Sequence, residues 1–136
     1  RSMAWQKVKI RPEQELVVGG WTKGTGKAVE LGALLVGVYE DGQLRYAGKV
    51  GAGFNDAIRS ELLAALSPLA SQDQPFADAP PRAVAKSALW MRPELVIRAE
   101  FAGWTGDGLV RQAAYKGIDL GKDPKKVRRE VARKPG

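Results

Sequence analysis

The stretch LGALLVGVYEDGQLRYAGKVGAGFNDAIRSELLAAL, residues 31–66, contains the signals for two strands, a tight turn and a helix. Its first ten residues, 31–40, are almost all apolar, which predicts a central strand with both faces covered. The dipeptide Asp41-Gly42 separates this strand from the alternating segment 43–51, and that arrangement predicts a β-hairpin. Asn55 is a suitable cap for a helix over residues 55–66, and an apolar stripe repeats at helical spacing from there.

Further strands are predicted on both sides of this unit. ELVVGGWT (15–22) reads as a strand with a glycine bend. ELVIRAEF (94–101) alternates, with Leu95, Ile97, Ala99 and Phe101 facing inward and Glu94, Val96, Arg98 and Glu100 outward. LVRQAAYKGI (109–118) predicts the last strand. Residues 67–93 hold five of the eight prolines and predict an irregular connection. PKKVRRE, which begins at Pro124, predicts a short basic helix.

Five strands with one helix between the third and the fourth predict an all-β OB-fold, a five-stranded Greek-key barrel, followed here by a short C-terminal basic helix. Gly48, Gly51 and Gly53 remain open to two interpretations. Interior glycines allow the strong strand bend that a small barrel needs. They also allow a ligand to approach the backbone closely.

Composition excludes several classes of chemistry. The 136 residues include no cysteine and no histidine, so disulfides, thiolate catalysis and a Ser-His nucleophile are excluded. No acidic cluster has metal-binding spacing, and we predict no metal site in this chain. No apolar run approaches the roughly 20 residues that span a bilayer. The start, RSMAWQKVKI, lacks a secretory apolar core. We therefore expect a cytoplasmic protein, at the nucleoid, with no membrane partner.

The charge of the chain indicates a polyanionic partner. The net charge is +7, and the segment from Lys122 to Lys134 has seven basic and two acidic residues, so it carries five of these seven charges. A small basic domain often binds nucleic acid, although a merely solvated basic surface has the same composition.

Four segments carry a resemblance to a known family: WQKVKIRPEQELVVGGWT, the hairpin stretch from 31 to 54, WMRPELVIRAEFAGWTGDGLVRQAAYKGI, and KDP. Together they resemble the C-terminal OB domain of bacterial ATP-dependent DNA ligases of the ligase D type. The resemblance implies part of an enzyme that seals nicks in end joining, through an enzyme–AMP and a DNA–adenylate intermediate. ATP and Mg²⁺ (or Mn²⁺) would serve the whole ligase, with none bound by this domain alone. The implied partners are nicked duplex DNA and the nucleotidyltransferase domain, with the Ku end-binding protein as a further candidate.

The resemblance also assigns roles to particular residues. The family's nucleophilic Lys-x-Asp-Gly motif is absent, so no catalytic residue is expected in this chain. WQKVK resembles the junction motif that ends the nucleotidyltransferase domain, which implies a boundary between 1–10 and an OB domain at 11–136. Lys7 and Lys9 would then bind ATP or AMP phosphates. GIDLGKDP resembles the last motif of the family but has Asp119 in place of arginine and Gly121 in place of aspartate. Lys122 matches that motif and is the third expected phosphate ligand.

DNA contacts are expected from the basic residues of the strands and loops. Arg45 and Lys49 are four residues apart on one predicted strand, so we expect them on the same face, about 13 Å apart. Lys23 and Lys27 belong to a flexible loop, and Arg111 and Lys116 to the last strand. Two other functions remain open: a single-strand binder that stacks bases on Trp21, Tyr46 and Trp104, and a protein-interaction barrel with an incidental basic tail.

Overall fold

A computed structural model describes residues 13–23, 31–78, 80–86, 88–106, 109–119 and 121–127. Within these ranges, the elements in chain order are β1 (Glu13–Thr22), β2 (Ala33–Glu40), β3 (Gln43–Val50), α1 (Asp56–Leu66), α2 (Arg82–Ala85), β4 (Ala88–Glu100), β5 (Gly103–Trp104), β6 (Val110–Arg111) and β7 (Ala114–Ile118). Single 3-10 turns follow at Ser67–Leu69 and Pro124–Lys126. The expected boundary between residues 10 and 11 lies outside the described residues.

The main sheet has five antiparallel strands in the order β3-β2-β1-β4-β7, and β5 and β6 form a separate small hairpin. A parallel bridge joins Ala52 to Ala114, and the Tyr115 N–H donates to the Ala52 carbonyl at 2.8 Å. The two edges of the sheet therefore meet at one bridge rather than along a continuous ladder. This curled sheet, with α1 between the third and fourth strands, confirms the all-β OB-fold.

Local signals account for α1. The Asn55 side chain accepts a hydrogen bond from the Ile58 N–H at 2.8 Å, and this satisfies one of the free donors of the first turn. Leu62 and Leu66 lie on the face of α1 that packs into the hydrophobic core, and both are fully buried. Pro68 lies in the 3-10 turn that ends the helix.

The two faces of the sheet differ in what covers them. The inner face carries Leu16, Val36 and Ile97, all fully buried. The outer face carries a row of residues paired across four strands: Tyr46, Gly37, Val17 and Val96. Phe76 covers part of this row, because a Cβ atom added to Gly37 would lie 2.9 Å from the Phe76 ring.

A C-terminal strap, which we define as residues 119 and 121–127, covers the rest of the outer face. The Asp119 N–H donates to the Val96 carbonyl, and the Tyr39 N–H donates to the Val127 carbonyl, each at 2.8 Å. Val127 is 1% exposed. The strap explains why Val96, predicted to face outward into solvent, is instead buried.

Three element predictions were wrong in detail. β4 begins at Ala88, earlier than the predicted residue 94, and Pro93 lies in it at a break in the pairing with β1, where no ladder hydrogen bond is needed. The predicted strand 109–118 is divided into β6 and β7 by Gln112, which has a φ of 54°. The predicted basic helix is a single 3-10 turn, because Val127 is already extended; residues 128–136 lie outside the described ranges.

In the part of the chain that the structure describes, no helix has the length and apolarity required to cross a membrane.

Candidate nucleic-acid interface

A β-bulge in β3 separates the two basic residues that were expected to act together. Gly48 pairs with Val36 and Tyr46 pairs with Gly37, so Ala47 is an extra residue in β3. Arg45 therefore pairs with Val38, whereas Lys49 pairs with Leu35. Since residues paired across a ladder share a face and Leu35 and Val38 are three apart on β2, Arg45 and Lys49 lie on opposite faces. The predicted shared face was wrong.

Lys49 instead lines a groove of about 510 Å³ between the end of β3 and the β6–β7 kink. The other lining residues are mostly small: Ala33, Gly51, Ala52, Gln112, Ala113 and Ala114. Arg111 is exposed and directly precedes Gln112, and its neighbour Val110 packs against Gly48, next to Lys49. The fold thus brings β6, which carries Arg111, against the end of β3 that carries Lys49, although the two residues are 62 apart in sequence.

The glycines of this region serve different purposes. Gly48 has a φ of +119°, and an added Cβ would lie 3.1 Å from the Val110 side chain. Gly53 has a φ of +88°, and its Cβ would lie 2.8 Å from the Tyr115 nitrogen. Both therefore permit the close strand approach that curls the sheet. Gly51 meets only the Ala33 Cβ, at 3.8 Å, and lines the open groove.

The remaining expected DNA contacts are placed unevenly. Lys23 is exposed directly after β1, while Lys27, Lys7 and Lys9 lie outside the described residues. Lys116 is exposed on β7, but its Nζ lies 3.6 Å from a Glu100 carboxylate oxygen. Lys116 is therefore the least available of the described candidates for a phosphate.

Lys122, the expected nucleotide ligand, belongs to a group of five charged side chains. We name this group the outer charge cluster; its members are Glu13, Glu15, Arg98, Asp119 and Lys122. The Lys122 Nζ lies 3.1 Å from Glu15 Oε1, and Arg98 Nη1 lies 3.6 Å from Glu15 Oε2. Arg98 also lies 3.3 Å from Glu13 and 3.7 Å from Asp119.

Asp119 is held in its ionised form by this cluster. A hydrogen bond with the Glu15 side chain, which forms when the two carboxyl groups share one proton, is the largest cause that lowers the pKa of Asp119 below its ordinary 3.8. The Gly121 N–H, which donates to Asp119 Oδ1 at 3.1 Å, and the nearby Arg98 and Lys122 lower it as well, while partial burial opposes them. Asp119 therefore carries a negative charge at neutral pH.

Sequence reasoning missed two participants. Gln112 lines the groove and has a left-handed backbone conformation, which non-glycine residues rarely adopt. The residue types around it give no sign of this conformation in the sequence. Arg98 was assigned to the outer side of β4, but its three carboxylate neighbours come from β1 and the strap. These contacts can be deduced only when the order of the strands in the sheet is known.

Within the described ranges, no three acidic side chains are grouped in a way that could hold a metal ion.

Comparisons with known proteins agree with this fold. The family model described as "ATP dependent DNA ligase C terminal region" matches residues 27–120. The multifunctional non-homologous end joining protein LigD of Pseudomonas aeruginosa is 38% identical over 130 residues, which cover 93% of this chain and 16% of that protein.

Two solved structures share the architecture. The ligase domain of M. tuberculosis LigD superposes with a TM-score of 0.82 at 35% identity, over 88% of this chain and 39% of that one. A mycobacterial DNA ligase D complexed with ATP and MES gives a TM-score of 0.79 at 34% identity, over 90% and 39% of the two chains. This chain spans about a sixth of the length of the curated relative. The chain belongs to the family of ATP-dependent DNA ligase C-terminal regions.

Proposed function

We propose that this chain is the C-terminal OB domain of an ATP-dependent ligase that seals nicks during DNA end joining. In this proposal the domain clamps nicked duplex DNA and supplies phosphate-binding lysines, while the nucleophilic lysine belongs to the nucleotidyltransferase domain. The observation that carries the proposal is the similarity to LigD over 93% of the chain, together with the shared fold. The nucleotidyltransferase domain and Ku are the proposed protein partners.

The groove beside Lys49 is the proposed contact with the DNA backbone. Lys49 is an exposed cation that lines the groove, Arg111 is a second exposed cation on the adjacent β6, and small side chains leave the floor of the groove open. Such cations bind phosphates without reading sequence. Lys23 extends the basic surface, and Lys27 is proposed to join it. Arg45 lies on the other sheet face, so it would serve a different phosphate or none.

The proposed nucleotide role is divided among three lysines. Lys7 and Lys9 would bind the phosphates of ATP, with Mg²⁺ acting in the whole ligase. Lys122 can join them only by leaving Glu15, which lies 3.1 Å away. Asp119 stands at the position where the family has arginine, and a carboxylate cannot stabilise a developing phosphate charge as a guanidinium does.

Burial argues against the alternative of a single-strand binder. Trp21 is 6% exposed and Tyr46 is 7% exposed, so neither ring is available to stack on a base. Trp104 is half-buried and packs edge-on against Phe101, with ring centroids 5.0 Å apart. A stacking platform built from these three residues is therefore not supported.

Fluorescence anisotropy with labelled nicked duplex and single-stranded DNA over a series of salt concentrations tests the proposal. We expect preference for the duplex and a linear fall of log affinity with log salt, with a slope near −0.9 for each phosphate neutralised. Replacing Lys49 and Arg111 by alanine should reduce the slope by about 1 to 2.

A matched control removes the same two charges elsewhere. The variant Lys125→Ala/Lys126→Ala changes the strap, in the basic segment that is the rival DNA site. If this control loses the salt-dependent binding while the Lys49/Arg111 variant binds like the parent, the groove is not the DNA site. Preference for single strands would refute the proposed function itself.

A further inference from the structure

Two cations of the outer charge cluster are bound to the same carboxylate. Lys122 contacts one oxygen of Glu15 at 3.1 Å, and Arg98 contacts the other at 3.6 Å. The Glu15 side chain is only 18% exposed. An anion with two oxygens is thus already held between an ammonium and a guanidinium, an arrangement in which proteins also hold phosphate.

The cluster contains more acid than base, although the chain as a whole is basic. Its three carboxylates, Glu13, Glu15 and Asp119, face two cations, whereas the whole chain has a net charge of +7. An incoming anion would therefore compete with a carboxylate for Arg98 or Lys122.

The cluster also fastens the C-terminal strap to the sheet. Lys122 and Asp119 belong to the strap, while Glu15 and Arg98 belong to β1 and β4. Farther along, the strap is held by the hydrogen bond from the Tyr39 N–H to Val127. Displacement of Glu15 would consequently change the attachment of the strap as well as the charge of the site.

We propose that Arg98 and Lys122 form a phosphate-binding pair that Glu15 occupies as a competing anion, and that its ligand is the polyphosphate of a nucleotide. The choice of ligand rests on the proposed function. It is also favoured by geometry, because both cations contact Glu15 and therefore lie close enough together to hold one compact polyphosphate. Glu15 thereby sets the affinity of the pair, and Arg98 supplies the guanidinium that residue 119 lacks.

Titration of the chain with inorganic tripolyphosphate at low salt tests this inference. Glu15→Gln should bind about fivefold more tightly than the parent, the factor expected when one like charge about 4 Å from a ligand is removed in a water-like dielectric. The gain should vanish at high salt. Lys122→Met and Arg98→Met should each weaken binding.

Glu94→Gln is the matched control. Glu94 pairs with Arg92 at 3.5 Å, in an exposed ion pair of the same kind on the same strand as Arg98, so its loss should leave affinity unchanged. Asp119→Asn is a second variant that lacks one carboxylate of the cluster, and it should also bind tripolyphosphate more tightly. Circular dichroism checks that it is folded. Equal affinities of the parent, Glu15→Gln and Asp119→Asn would overturn the inference.

The same variants separate this inference from the proposed function. Glu15→Gln should bind nicked duplex like the parent, because Lys49 and Arg111 are unchanged. An equal gain for duplex and tripolyphosphate would overturn the assignment to nucleotide phosphates. If the parent chain does not bind duplex DNA, the proposed function is refuted. The tripolyphosphate titration would still test the phosphate-binding pair in that case. In amide exchange, the Tyr39 N–H should exchange faster when tripolyphosphate is bound.

Discussion

Phe76 is the best site at which to test the packing of the outer face, because two glycines make room for its ring. Phe76 is 4% exposed and packs edge-on against Tyr46, with centroids 5.4 Å apart. A Cβ atom on Gly19 would lie 2.6 Å and 2.9 Å from two ring carbons of Phe76. We therefore expect Gly19→Ala and Phe76→Ala to be strongly coupled in a double-mutant cycle.

The expected magnitudes follow from known core substitutions. Phe76→Ala removes a buried aromatic ring and should cost about 4 kcal/mol in the free energy of unfolding. Gly19→Ala overpacks the contact and should cost about 2 kcal/mol in the parent. In the Phe76→Ala background the ring is gone, and Pro75 Cγ, which lies 3.0 Å from the added Cβ, can move into the vacated space, so the same alanine should cost close to zero. The expected coupling is thus about 2 kcal/mol.

Urea unfolding of the four proteins of this cycle measures the coupling. Gly37→Ala is the control, since a Cβ there would collide with the Arg45 carbonyl oxygen as well as with Phe76. Its cost should persist after Phe76→Ala. If Gly19→Ala costs the same in both backgrounds, Phe76 does not occupy the space above Gly19, and the description of the outer face is wrong.

Three other measurements examine the fold and the chemistry. Burial raises the pKa of Tyr46 from 10.0 to about 12, so the stability that Tyr46 contributes should be full below pH 10 and fall by about 2 kcal/mol as the pH rises to 12. Tyr46→Phe should reduce the fall in urea midpoints across that range, and the remainder should come from Tyr39 and Tyr115, whose pKa values burial also raises. Asn55→Ala should cost about 1 kcal/mol through loss of the α1 cap, whereas Asn55→Asp should retain most of it. Incubation with labelled ATP and magnesium should leave the isolated chain without a covalent AMP adduct, and a labelled lysine would contradict the proposed division of roles.

Residues near one another in sequence gave reliable predictions. Asp41 and Gly42 both have positive φ, as the two-residue hairpin turn requires. The Asp-Gly dipeptide alone was enough to predict this turn from the sequence. Asn55 likewise caps α1 as expected. In both cases the deciding contacts lie within a few residues, so the local chemistry determines the structure.

Predictions failed where the deciding partner is distant in sequence. The extra residue Ala47 is visible only in the pairing of β3 with β2, and it moved Arg45 away from the face of Lys49. Val96 looked exposed by alternation but is covered by a strap that begins over 20 residues later. Lys122 matched a phosphate-binding motif, yet its partner Glu15 comes from the first described strand.

Nick sealing by a chimera would show whether this chain acts as the C-terminal domain of an end-joining ligase. The chain would replace the C-terminal region of the Pseudomonas aeruginosa LigD ligase, which is 38% identical to it, and the substrate would be duplex DNA carrying one preformed DNA–adenylate nick. This substrate bypasses self-adenylation, so the result does not depend on the nucleotide roles proposed for Lys7, Lys9 and Lys122. We expect the chimera to seal nicks well above the level of the enzyme lacking the region, and to seal fewer when Lys49 and Arg111 are both alanine. A folded chimera that seals no better than the truncated enzyme would contradict the proposed function.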